Sequence, residues 1–190
     1  MNIEKHLTPQ ESLEVITSMI REAKGNVQKS SFYFLLWGWT IVIANLGVFI
    51  LIRFTDVKNP HLIFSITIVS AIISIIYSFR QEKTETAPTH IDTINKWIWI
   101  GVGITCFVFV FFGSKIGWQI NPIIITMCAM PTFVTGIMLR FKPLMFGGIV
   151  LWLFGVASFL VEPDLQFLFA ALAVILGYII PGHMLKNLKQ

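Results

Sequence analysis

Charge is what this chain has least of. Asp, Glu, Lys and Arg make up 13% of its 190 residues, about half of what a soluble domain carries. Their absence is also patterned. Six stretches, 32–52, 62–79, 97–113, 122–139, 143–161 and 165–180, contain none of the four. Each comes close to the ~20 residues a helix needs to cross ~30 Å of hydrocarbon. Cysteine is nearly absent too: Cys106 and Cys128 both fall inside apolar stretches, which excludes a disulfide-stapled scaffold and favours two free thiols. The chemical motifs of enzymes are missing as well. There is no Gly-rich phosphate loop, no nucleophile elbow, no paired-Cys motif and no HExxH zinc motif. The polar pieces, residues 1–30 and 80–96, are too short to bury a core of their own.

What is present is apolar: 55% of the residues are hydrophobic. In lipid a backbone must satisfy its own hydrogen bonds, so each apolar stretch is expected to be a helix. The expected fold is all-α, a polytopic six-transmembrane-helix bundle (residues 31–185). A short amphipathic N-terminal helix and linker (residues 1–30) precede it, and a short tail (186–190) follows. The first 30 residues are polar, unlike a cleavable signal.

The formal charge of +4 does not imply nucleic acid, because the basic residues are dispersed over the span ends. Their distribution instead orients the chain. Lys5, Arg21, Lys24, Lys29, Arg80, Lys83, Lys96, Arg140, Lys142, Lys186 and Lys189 fall on the side of the N-terminus, eleven in all; Arg53, Lys58 and Lys115 fall on the other. By the positive-inside rule both termini are cytoplasmic, at the inner (cytoplasmic) membrane of a bacterium. One span more or fewer would scramble the alternation. Tyr33, Trp37, Trp39, Trp97, Trp99, Tyr77 and Tyr178 fall toward the cytoplasmic interface and Trp118 toward the outer one, as anchoring rings do. Trp152, near mid-span, is expected to pack inside.

Thr8-Pro9-Gln10-Glu11 is a capping-box start, with Pro at the first helical position. Leu13, Ile16, Ile20 and Ala23 follow at helical spacing, beside Val15 and Met19. Gly25-Asn26 reads as the stop, which leaves a helix at the membrane surface or under the bundle, or else a docking helix for a partner or a gate over the cytoplasmic mouth. Asn59-Pro60, Asn121-Pro122 and Pro163 open the even spans, and Arg80, Arg140 and Lys186 close them. This suits three parallel hairpins, or simply Pro as a common helix start. Ser70, Ser74 and Ser78, Thr132 and Gly136, and Ala173 and Gly177 are spaced to let helices approach closely.

Candidate chemistry is sparse. Asn45, mid-span, either hydrogen-bonds a neighbouring helix or contacts a solute. Met127-Cys128-Ala129-Met130-Pro131 with Cys106 offers soft sulfur suited to Cu(I), but these residues are also ordinary packing fillers; Pro131 reads as a kink. Asp56, His61, Glu162 and Asp164 gather at the outer rim, where polar loop ends belong. His90, Asp92 and His183 lie near the inner interface, where solvated side chains are ordinary.

The stretch from Ser31 through the sixth span resembles small six-span bacterial membrane proteins without an assigned activity. The resemblance extends to Leu13–Phe34, in which Lys24-Gly25-Asn26-Val27-Gln28-Lys29 precedes Ser31-Phe32-Tyr33-Phe34. Gly147-Gly148, Gly155 and Pro163 between apolar runs are similar to the acid-resistance membrane proteins built from three hairpins. Neither likeness supplies catalytic residues.

Three functions are therefore expected, in order. The first is a non-enzymatic membrane protein, without cofactor or metal. Its cytoplasmic edge would engage a protein partner, a second copy or anionic lipid, through an apolar face of Leu13, Ile16 and Ile20 and a basic rim of Lys24, Lys29, Arg80, Arg140 and Lys142. The second is a small transporter or channel for a neutral or apolar solute, using Asn45, Ser70, Ser74 and Thr132. The third is an intramembrane enzyme using the outer-rim acids.

Overall fold

A computed structural model of the chain describes residues 8–82, 90–117 and 119–187, and all the regular structure in them is helical. α1 spans Pro9–Phe54. A 3-10 turn, Pro60–Ser65, leads into α2, Ile66–Glu82. α3 spans His90–Phe111, α4 Ile120–Met138 and α5 Lys142–Ser158. α6, Leu165–Val174, passes through a π turn at Ile175–Ile179 into α7, Ile180–Asn187.

Five helical segments are long and apolar enough to cross a membrane: Ser30–Phe54, Pro60–Gln81, Asp92–Phe111, Ile120–Met138 and Leu165–Asn187. α5 is apolar but shorter. The chain is thus a helical integral membrane protein in contact with lipid.

α1 starts at Pro9, directly after Thr8, as the capping-box spacing predicts. The stop expected at Gly25-Asn26 does not occur: α1 continues through it into the first span as one helix of 46 residues. No proline lies between Pro9 and Pro60, and one interior Gly costs a helix only ~1 kcal/mol. At the other end the last helix runs on past 180, although Pro181 lies within it. Pro181 has no N–H to give the carbonyl of Gly177. The chain absorbs this in the π turn, where the Ile180 amide bonds the Ile175 carbonyl five residues back.

α1, α4, α5 and α6–α7 form the core. Phe34, Val42, Ile125, Ala129, Leu144, Leu151, Ala173, Val174 and Leu185 are buried there. α4 and α5 share the most extensive interface, while α1 packs on α6, α7 and α2. Glycine sets how closely α5 approaches its neighbours. A Cβ on Gly136 would strike the Met145 backbone, one on Gly148 would strike Phe133, and one on Gly155 would strike Thr126. These pairs define an antiparallel register over the length of both helices. Gly147 packs on the carbonyl of Gly177, the one Pro181 cannot satisfy.

α2 and α3 stand outside this core. α2 packs on α1, and α3 packs chiefly on α4. No residue of the apolar stretch of α3 is buried. The outward faces carry Ile68, Ile72, Ile75, Ile76 and Phe79 on α2, and Phe107, Val110 and Phe111 on α3.

Candidate functional site

The residues expected to line a solute path do not converge on one site. They are bound into three different helix seams. Asn45 is completely buried. Its Nδ2 donates to the Ile41 carbonyl at 2.8 Å, and its Oδ1 accepts from Asn121 Nδ2 at 2.8 Å. A second buried amide lies close by: Gln166 Nε2 donates to Gln119 Oε1 at 2.9 Å. This amide network ties α1, α4 and α6 together on the side of the bundle that carries the Arg53–Asp164 pair.

Ser70 and Ser74 belong to the α1–α2 seam. The Ser70 and Thr40 hydroxyls are 2.6 Å apart, and Trp37 Nε1 donates to Ser74 Oγ at 3.1 Å. Phe32 stacks on Tyr77 at 3.9 Å between centroids, closing the end of this seam nearer Ser31. The Ser stripe is therefore used in helix packing.

Thr132 lies in a third cluster, where α4 meets the π turn of the last helix. α4 carries Pro131, and the π turn of the last helix presents Tyr178. Thr132 Oγ1 donates to the Cys128 carbonyl at 2.7 Å and lies 3.3 Å from Tyr178 Oη. Trp99 and Phe34 meet the Tyr178 ring edge-on. Trp99 Nε1 donates to Thr135 Oγ1 at 3.3 Å, and Thr135 in turn donates to Asn95 Oδ1 at 2.8 Å. The cluster joins α1, α3, α4 and the last helix. Periodicity does not reveal it, because the π turn shifts the face that Tyr178 presents; Pro181 is the trace of that turn in the sequence. Trp152 packs against the core near Phe133, as expected.

Two of the outer-rim residues have partners on α1 and α6. Asp164 Oδ2 pairs with Arg53 at 3.2 Å, and the His61 ring lies against Phe167. Among the described residues no three His, Cys, Asp or Glu gather as a metal-holding group.

Of the residues expected to form a basic rim, Arg80, Arg140 and Lys142 are exposed. Leu13 is 68% exposed. The side chains of Ile16, Ile20, Lys24 and Lys29 lie outside the described residues, as do Trp118 and residues 83–89. His183 Nδ1 lies 3.0 Å from the Ile179 carbonyl. No family model, curated protein or solved structure matches the chain.

Proposed function

We propose that the chain is a non-enzymatic six-span protein of a bacterial inner membrane that holds a helical stalk in the cytoplasm for a partner. The observation that carries this reading is the unbroken α1. Its 46 residues make a rod ~69 Å long at 1.5 Å per residue, more than twice the ~30 Å of hydrocarbon. Tilt cannot absorb the excess. The segment before Ser30 therefore leaves the bilayer along the axis of the first span, and Leu13, Ile16 and Ile20 would offer their apolar stripe away from the headgroups.

Parity supports six crossings. Ser31 Oγ donates to the Gly182 carbonyl at 3.0 Å, so the start of the first span and the end of the last meet at one end of the bundle. The Arg53–Asp164 pair joins the opposite ends of the same two helices. An even number of crossings is needed to bring the chain back, and α5, matched to α4 along its length, supplies the sixth. The 11-to-3 basic asymmetry supports both termini lying inside. The transport reading loses support because Asn45, Ser70, Ser74 and Thr132 are each engaged by neighbouring helices.

Nitroxide labels at 13, 16 and 20 in nanodiscs test the stalk. The expected result is quenching at all three by a water-soluble relaxant rather than by oxygen dissolved in lipid. A label pair at 13 and 53 should lie ~60 Å apart. Oxygen-dominated quenching, or a much shorter distance, would mean a helix lying on the membrane.

A further inference from the structure

On the outward surface of α4 and α5 is an apolar groove of about 320 Å³, lined by Phe133, Lys142, Met145, Phe146 and Ile149. The four α5 residues stand at i, i+3, i+4 and i+7, so they form one stripe ~10 Å long. The stripe begins at Lys142, the exposed first residue of α5 at the inner edge, and runs into the depth of one leaflet. The volume is at the low end of the ~300–1,000 Å³ typical of small-molecule sites. It is too small for a partner helix, which is ~10 Å across with its side chains.

The turn above the groove carries a second cation in an unfavourable place. α4 ends in a Schellman motif, in which the Phe141 amide bonds the Gly136 carbonyl at 2.8 Å and the Arg140 amide bonds that of Ile137 at 3.0 Å. The residue between helix and extended chain in this motif takes a left-handed backbone and is usually Gly. Here it is Arg140, at φ 50, whereas the other left-handed turn of the described chain has Gly117. A strained position given to a cation points to a use for the charge. Among the described residues no carboxylate pairs with Arg140 or Lys142.

We propose that the groove holds one acyl chain of an anionic phospholipid, with its phosphate at the Arg140–Lys142 turn. Phe133, Met145, Phe146 and Ile149 contact the chain, and the two cations select the headgroup. The inference rests on the reading that α5 crosses the bilayer.

Native mass spectrometry tests it, using protein in micelles with equal phosphatidylglycerol and phosphatidylcholine of identical chains. The detergent has no sidedness, so the result does not depend on which end of the bundle is cytoplasmic. Wild type is expected to retain phosphatidylglycerol preferentially. Lys142→Gln lowers that preference about fivefold, the effect of the ~1 kcal/mol expected of one near-surface cation. Arg140→Gly lowers it similarly while raising the melting temperature, since Gly relieves the left-handed turn. Ile149→Trp fills the groove and reduces retention of both lipids. Lys115→Gln, at the other end of the bundle, changes nothing. Equal retention of the two lipids by wild type would overturn the proposal. So would a loss on Lys115→Gln equal to that on Lys142→Gln, or unchanged retention in Ile149→Trp.

Discussion

Asn45 shows how a polar residue deep in a membrane protein is held. Its amide donates to its own helix at Ile41 and accepts from Asn121 on α4. Interhelical bonds of this kind return ~0.6 kcal/mol on average in membranes, with a maximum near 1.7. Asn45→Leu should lower unfolding stability by about that amount. The double variant Asn45→Leu/Asn121→Leu should lose less than the two single losses combined, because both singles break the same bond. Denaturant unfolding in bicelles checks this. Strictly additive losses would mean that the two amides act independently. That Asn45 needed a partner was legible in the sequence from its place in a run without charge. The partner was not, because Asn121 lies 76 residues away and reads locally as part of an Asn-Pro helix start.

At the scale of elements, the spans were legible because lipid excludes charge and the chain keeps charge at span ends. Their limits were less so. Gly25-Asn26 has the composition of a stop, yet a helix ends only where something opposes the next hydrogen bond, and nothing there does. Pro181 has the composition of a break, yet a π turn passes it. Glycine carries the same ambiguity. Gly155 and Gly101 both lie in apolar helices, but a Cβ on Gly155 would meet Thr126, whereas one on Gly101 would meet nothing within 4 Å. Gly155→Val should therefore cost ~1–3 kcal/mol through overpacking. Gly101→Ala should be neutral or stabilising by up to ~1 kcal/mol, the helix penalty of Gly. Thermal melts of the two variants distinguish these sites, and equal losses would contradict the α4–α5 packing.

The molecule as a whole is a four-part core with two outlying helices. The apolar faces of α2 and α3 need no burial, because acyl chains are as apolar as the side chains they meet. The core brings both ends of its first and last helices together, and that is the basis for an even number of crossings. α5 decides the number, being, among the described residues, the apolar helix shorter than a usual span. The central claim is tested most directly by labelling single cysteines at 10, 140 and 163 in cells, with Cys106 and Cys128 replaced by Ala. An impermeant maleimide is added before or after lysis. The account predicts that position 163 reacts from outside, while 10 and 140 react only after lysis. If 140 and 163 report the same side, α5 does not cross and the six-span bundle is wrong.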